Sequence, residues 1–279
     1  MCVFCQTKQK KKSKKIHINA NHNYISNVMA KFEIKDGVAI IPEGTTEIGQ
    51  DAFYDCTSFE SITIPESVTK IGDNAFDGCS SLKSITLPDS VTSIGWYAFT
   101  GCTSLKNVTL PDSVTFLGEN AFSRCTSLES ITISKSVTEI GHYAFDGCSL
   151  LKSIIIPESV RKIGIGTFRW CTLLESIAIP ELVTTIECNA FMGCTSLKNI
   201  TIPESVTRIE QNAFYGCSSL EIVHLPAGVS NFEIDSFKDC RNLKAIYVPG
   251  DKVDYYKEHF PADMHWLIVE EGSALPVKP

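Results

Sequence analysis

Cysteine is the residue whose type and spacing most readily suggest chemistry in this sequence. Nine cysteines recur every 23 residues, and a phenylalanine stands three residues before each one. A row of thiols could form disulfides or bind a metal. The two columns are Phe53, Phe76, Phe99, Phe122, Phe145, Phe168, Phe191, Phe214 and Phe237, with Cys56, Cys79, Cys102, Cys125, Cys148, Cys171, Cys194, Cys217 and Cys240.

The expected geometry of a repeat argues against disulfides within the cysteine column. In-register parallel coils lie ~4.8 Å apart, and parallel Cα–Cβ bonds keep neighbouring Cβ atoms at about the same distance. A disulfide requires Cβ atoms about 3.5–4.5 Å apart. We therefore predict buried, unpaired thiols that pack behind the phenylalanines, an arrangement that suits a reducing compartment. Cys188 lies outside the column and is expected to be a surface thiol.

The remaining candidates for chemistry are few. Cys2 and Cys5 have the spacing of half a zinc site or of a redox pair, but no second ligand pair follows. If both were acylated, they and the lysines from Lys8 to Lys15 could anchor the chain to an anionic membrane, which we do not expect. The six histidines are scattered, and no phosphate loop, nucleophile elbow or dinucleotide fingerprint occurs. We predict no enzymatic activity, no metal and no cofactor.

One repeat unit, residues 82–104, shows which elements position these side chains. Ile85 lies in a run of alternating apolar and polar residues, which predicts a strand with one buried face, and Pro88 ends it. Gly95 permits a sharp bend in which φ can be positive. The apolar residues before Cys102 have helical spacing, which predicts a short helical or 3₁₀ turn. Each unit is thus one turn of a solenoid.

The repeat predicts the fold and the domain boundaries. One unit has too few inward positions to form a core, but stacked units bury a continuous one. We predict a β-rich solenoid, an α/β repeat of parallel strands and short helical or 3₁₀ turns, over residues 29–250. Residues 251–279 are predicted to form a C-terminal cap and tail. Residues 1–28 are predicted to be a disordered basic tail or a mis-assigned start, with translation beginning at Met29.

The charge distribution limits the classes of partner. The whole chain has a formal net charge of −7, but residues 1–28 carry six lysines and no acidic residue, which leaves −13 for the remainder. Binding to nucleic acid depends on basic side chains that neutralise phosphates, so the acidic body is not expected to bind it. No apolar run is long enough for a membrane helix, and no secretory signal is evident. These features favour a cytoplasmic location.

The repeat frame resembles a known family. The pattern Leu-x-x-Ile-x-Leu-Pro-x-x-Val-x-x-Ile-Gly-x-x-Ala-Phe-x-x-Cys, over about residues 34–250, is similar to the BspA-like, or Treponema pallidum type, leucine-rich repeat. The resemblance implies a curved solenoid with protein-binding or adhesive roles, often at microbial surfaces. It therefore offers a cell-surface or secreted location as the alternative to the cytoplasm. Serine occupies most of the column where leucine-rich repeats usually have asparagine, and it could hydrogen-bond the turn backbone in its place.

Two surfaces are candidates for binding a partner. The first is the outward face of the strands, which is repeated in every coil, although threonine is also simply a good strand residue. The second is formed by exposed aromatic residues in another segment of the coil, because Trp and Tyr are enriched at binding hot spots. The strand positions are Thr63, Thr86, Thr109, Thr132, Ile155, Ala178, Thr201, His224 and Tyr247, and the aromatic positions are Trp96, Tyr97, Tyr143, Trp170 and Tyr215.

These observations lead to two functional hypotheses. The first is a non-enzymatic module that binds a protein partner of unknown identity or mediates adhesion. The alternative is a structural or self-associating repeat protein without a dedicated ligand. Because identical coils specify only the scaffold, specificity should lie where they differ. Those positions are Ile155, Trp170, Cys188, His224, Tyr247 and the C-terminal segment.

Overall fold

A computed structural model of the chain describes residues 32–277 and the two-residue strand Lys14–Lys15, which pairs antiparallel with Glu33–Lys35. The predictions for Cys2, Cys5 and, apart from that strand, the basic tail lie outside the described residues. Each 23-residue unit forms one coil of a parallel β-solenoid, as the repeat predicted. We number the coils one to nine after their phenylalanines, from Phe53 to Phe237.

Each coil contributes one strand to the front sheet, which contains the predicted strand face. Its strands are parallel and in register, so that Thr109 lies beside Thr132 in the next coil. Two antiparallel strands, Lys14–Lys15 and Glu33–Lys35, precede the parallel strands in this sheet. The strands that follow are Val38–Ile40, Ser61–Thr63, Ser84–Ile85, Asn107–Thr109, Ser130–Thr132, Ser153–Ile155, Ser176–Ala178, Asn199–Thr201, Ile222–His224, Ala245–Val248 and Ile268–Glu270.

A second set of parallel strands forms the back sheet, which the sequence pattern alone did not predict. Each of these strands has only two residues and comes just before the bend of the coil. They are Glu47–Ile48, Lys70–Ile71, Ser93–Ile94, Phe116–Leu117, Glu139–Ile140, Lys162–Ile163, Thr185–Ile186, Arg208–Ile209 and Asn231–Phe232.

The segment from the bend to the cysteine forms the third side of the coil, which we call the turn face. In coil three, Ala98 N–H donates to Gly95 O and Cys102 N–H donates to Phe99 O, both i→i−3 bonds. These bonds form successive turns, and only coil nine has a continuous 3₁₀ helix here. The helices of the described chain are the 3₁₀ helices Ile234–Phe237, Gly250–Lys252 and Ala262–Leu267 and the α-helix Val253–His259.

The phenylalanine column runs through the core as a stacked spine. Neighbouring rings lie 5.0–5.9 Å apart and within 13° of parallel. Serine hydroxyls add a second link between coils, because Ser67 donates to Thr45 O at 2.8 Å and Ser205 to Val183 O at 2.7 Å. The serine column therefore hydrogen-bonds the turn backbone of the preceding coil, which is the role the sequence suggested for it.

Glycine at the bend allows neighbouring coils to approach closely in the N-terminal half. A Cβ added to Gly118 or Gly141 would lie 2.5 Å from backbone atoms of the preceding coil, closer than real Cβ atoms come to such atoms. Gly95 does not have a positive φ, so the expected conformational reason is wrong and close approach is the actual one. A Cβ added to Gly164 would approach the His142 ring instead of backbone atoms.

The hydrogen-bonded ladder is interrupted between coils five and six. The front and back sheets both lose strand pairing there, and the front sheet loses it again between coils seven and eight. Within the described residues, the N–H groups of Lys152, Arg161 and Gly164 have no inter-coil acceptor, whereas Gly141 N–H donates to Leu117 O at 2.9 Å. The turn face stays bonded, because Phe145 N–H donates to Thr167 O at 2.9 Å. The coils therefore separate on two of their three sides.

The C-terminal helix covers the open end of coil nine. Tyr256 is fully buried and its hydroxyl donates to the carbonyl of Pro226. The Phe260 ring lies 4.7 Å from the ring of Phe232 in the last back strand. Strand Ile268–Glu270 then pairs in parallel with the last full front strand, so the cap also extends the front sheet, which was not predicted.

Candidate functional site

The front sheet presents the predicted threonine ladder to solvent. Its central side chains alternate with buried Ile, Leu and Val, because successive residues of a strand point to opposite faces. In coils two to five the exposed central residue is threonine in every case, so this half of the face is uniform. The four residues are Thr63, Thr86, Thr109 and Thr132.

Ile155 breaks this uniform face in coil six. Its side chain is 85% exposed, the most exposed large apolar residue between the two ends of the described chain. It pairs in register with Ala178 of coil seven, which is also exposed. Two adjacent apolar residues thus replace threonine at this point. Both remain exposed, so packing within the described residues does not explain why they are apolar.

His224 and Tyr247 lie on the same face but contact the C-terminal segment. Their rings stack with centroids 5.1 Å apart. His224 Nδ1 lies 3.0 Å from a carboxylate oxygen of Glu271, and the Tyr247 hydroxyl donates to Ser273 O at 3.2 Å. Both are half-buried. These contacts could not be predicted from the repeat pattern, since Glu271 is 47 residues from His224.

Trp96 and Trp170 lie on the turn face, so the candidate residues form two separate surfaces. Trp96 is 51% exposed, and its backbone N–H donates to an Asp73 carboxylate oxygen at 2.8 Å. Trp170 is 46% exposed, and its ring lies over Gly193 of the next coil. A side chain at Gly193 would overlap that ring.

The turn face holds several large side chains in left-handed backbone conformation. Trp170 has a φ of 58°, Tyr97 and Tyr143 have 57°, and Arg124 has 58°. Asn, Asp or Gly occupies most equivalent positions in other coils, and these residues tolerate this conformation best. A bulky residue there costs about 1–3 kcal/mol. This strain was not apparent from the sequence.

The cysteine column belongs to the core, as the packing interpretation predicted. All nine side chains are at most 8% exposed. The Cys125 thiol donates to Phe99 O at 3.1 Å, and the same bond recurs from Cys79 to Cys240 at 3.0–3.2 Å. Burial raises the pKa of the Cys240 thiol to about 12 and that of Cys125 well above its usual value. Since the thiolate is the reactive form, burial and the raised pKa lower the reactivity of these thiols.

Cys188 is partly exposed, as expected for a cysteine outside the column. Partial burial raises its thiol pKa, and so does the carboxylate of Glu210, which accepts a hydrogen bond from Sγ at 3.3 Å. A raised pKa makes this thiol a poor nucleophile and a poor metal ligand.

Two side-chain contacts span the junction between coils five and six. Arg169 forms a bidentate ion pair with Asp146, through Nε at 2.8 Å and Nη2 at 3.0 Å. Ile165 N–H of coil six donates across the junction to His142 Nδ1 of coil five at 2.9 Å, and it also donates to a Glu187 carboxylate oxygen of coil seven at 3.1 Å. These contacts join the coils where the strand ladder does not.

The described residues contain no group of three His, Cys, Asp or Glu side chains arranged to hold a metal ion. Over the same part of the chain, no helix has the length and apolar character needed to cross a membrane. The acidic residues that follow the strand-ending prolines are all exposed, as a solvated edge would be. They are Glu43, Glu66, Asp89, Asp112, Glu158, Glu181 and Glu204.

Known proteins share this architecture. A leucine-rich repeat protein from Bacteroides ovatus is 28% identical, with a TM-score of 0.63 over 81% of this chain and 71% of that one. The leucine-rich repeat protein of T. pallidum is also 28% identical, with a TM-score of 0.53 over 68% of this chain and 87% of that one. Comparison with curated proteins found no significant match. The model of the BspA type leucine rich repeat region matches residues 37–152 and 138–262, and the chain therefore belongs to the BspA-type leucine-rich repeat family.

Proposed function

We propose that the chain is a non-enzymatic module that binds a protein partner, or mediates adhesion, through the front sheet of coils six to eight. The observation that carries the proposal is Ile155, whose side chain is 85% exposed on a face where each of the four preceding coils has threonine. Isoleucine also suits a strand, but the free energy of burying so exposed an apolar side chain is gained only when a partner removes it from water.

The N-terminal coils are a less suitable binding surface. Their front face repeats the same threonine in four successive coils, so it offers no local feature that a partner could distinguish from its neighbours. The end of the face at His224 and Tyr247 is partly occupied by the residues that follow Glu270. The open and varied part of the front face therefore lies between these two regions.

Affinity capture with matched variants tests the proposal. The full chain, its Ile155→Asp variant and its Thr109→Asp variant are immobilised and exposed to extracts and surface fractions of the native host. We expect proteins that bind the unmodified chain and Thr109→Asp but not Ile155→Asp. A set of bound proteins that does not change with Ile155→Asp would contradict the proposal.

Light scattering distinguishes a binding module from the alternative, a self-associating structural protein. For a binding module, the mass of the full chain stays that of a monomer as concentration rises. A mass that grows with concentration, together with the absence of any Ile155-dependent partner, would favour the structural alternative.

A further inference from the structure

A cleft opens in the front sheet between coils seven and eight, next to Ile155 and Ala178. Its volume is about 330 Å³, at the low end of the range for ligand pockets, so it has room for a long side chain. The lining residues are Ile177, Ala178, Ile179 and Glu181 from coil seven and Asn199, Ile200, Thr201 and Pro203 from coil eight.

Three separate observations show that the cleft is a local opening of the stack. The front ladder loses its strand pairing at this position. The bond from Lys198 N–H to Glu175 O lengthens to 3.4 Å, compared with 2.7 Å for the same bond one coil later, from Glu221 N–H. Ile177 is only half-buried, whereas Ile154 and Ile200 at the same position of adjacent coils are 6% and 2% exposed. The opening therefore exposes part of the core.

The cleft also carries a negative charge. Glu181 lies at one end, and within the described residues it has no ion pair or hydrogen bond. Glu158, at the same position one coil earlier, is also unpaired, and Glu204 follows one coil later. The cleft thus combines the half-buried Ile177 with an unneutralised carboxylate, in a body whose net charge is strongly negative.

We propose that this cleft receives a basic side chain, lysine or arginine, from an extended segment of the protein partner. The aliphatic stem of such a side chain packs on the accessible part of Ile177 while its cationic head reaches Glu181, because lysine and arginine bury their methylene groups and keep the charge near a counter-ion. Ile155 and Ala178 then contact the flanking part of the same segment. This inference rests on the proposed binding function and specifies its partner chemistry.

The test uses three acetylated, amidated pentapeptides, Gly-Ser-X-Ser-Gly, in which X is lysine, norleucine or glutamate. Binding to the full chain is measured by NMR titration of the Ala178 and Thr201 amides. We expect the lysine peptide to bind at least about ten-fold more tightly than the norleucine peptide, since both fill the cleft but only lysine meets the carboxylate. The glutamate peptide should not shift these amides.

Two variants separate a specific site from general attraction to an acidic protein. Glu181→Gln should weaken lysine binding about ten-fold and leave norleucine binding unchanged. Glu158→Gln removes the same charge one coil away and should change lysine binding less than two-fold. Equal losses in the two variants, or shifts outside the cleft, would overturn the proposal.

The outcome of this test is independent of the outcome of the capture experiment. If the lysine peptide does not bind while partner capture still depends on Ile155, the cleft inference fails and the binding function stands. If capture does not depend on Ile155, the proposed function fails whatever the peptide does.

Discussion

Coils one to five and coils six to nine follow one sequence frame but are built differently. In the first block, glycine bends bring the backbones into contact, both ladders are continuous, and the outward central residue is threonine in coils two to five. In the second block, Glu187, Glu210 and Glu233 replace the bend glycine, the front ladder is interrupted, and the outward residues vary. The comparison shows that regular stacking and surface diversity are located in different halves of the same solenoid.

The junction between the blocks is where side chains replace backbone bonding. Arg169 and Asp146 form an ion pair across it, while the strands on either side are unpaired. The phenylalanine spine is also most widely spaced around this junction, at 5.9 Å between Phe122 and Phe145 and 5.7 Å between Phe145 and Phe168. These distances indicate that the coils pack less closely at the junction than within the first block. The following predictions test this difference in packing and its consequences.

The largest effect is expected from removing a ring of the spine. Phe99→Ala should lower the free energy of unfolding by about 3–5 kcal/mol, because the closely stacked coils on either side of Phe99 cannot fill the cavity. Phe145→Ala should cost less, since its ring already has wider spacing on both sides. Urea unfolding measures both values. A loss for Phe145→Ala equal to or larger than that for Phe99→Ala would contradict looser packing of the spine at the junction.

The bend glycines provide a matched comparison within the first block. Gly118→Ala should destabilise the protein by about 1–3 kcal/mol, because its Cβ would overlap the backbone of coil three. Gly49 occupies the same position of coil one, with no atom within 4 Å of its added Cβ. Gly49→Ala should leave stability unchanged or raise it by up to about 1 kcal/mol. Similar losses in both variants would show that close stacking is not the reason for glycine.

The junction ion pair should matter more than a surface pair of the same type. Asp146 is 11% exposed and Arg169 is 34% exposed, so Asp146→Asn should cost about 1–2 kcal/mol, less than the loss of a fully buried partner. Glu60→Gln removes an exposed pair with Lys83 in the first block and should cost at most about 0.5 kcal/mol. Thermal unfolding compares the two variants, and equal shifts in Tm would refute a special role for the junction pair.

The smallest effect concerns the reactivity of Cys188 in the second block. After Cys2→Ser and Cys5→Ser, native labelling with a maleimide should occur at Cys188 alone. Its raised pKa makes labelling slower than for an ordinary exposed cysteine at pH 8, and the rate should keep increasing above pH 9. Glu210→Gln removes one cause of the raised pKa and should accelerate labelling several-fold. An unchanged rate would show that Glu210 does not control the thiol.

Most of the coil could be predicted from the sequence, because the Phe and Cys columns fix the register of every unit at once. The turn face was harder, since nothing in the residue types of Tyr97 or Trp170 indicates a left-handed backbone. The contact between His224 and Glu271 could not be predicted from the sequence. Glu271 lies beyond the last repeat, where no periodic pattern shows how the chain is placed. The ladder interruption between coils five and six was also missed, since the 23-residue spacing continues through it without change.

Amide hydrogen exchange across the junction tests the division into two blocks most directly. Lys152, Arg161 and Gly164 of coil six lack the inter-coil bonds that Glu129, Thr138 and Gly141 of coil five make to coil four. The account predicts that each of these three coil-six amides exchanges at least about ten-fold faster than its equivalent in coil five. Equal protection of the two sets would contradict it, because the stack would then be continuous through the junction.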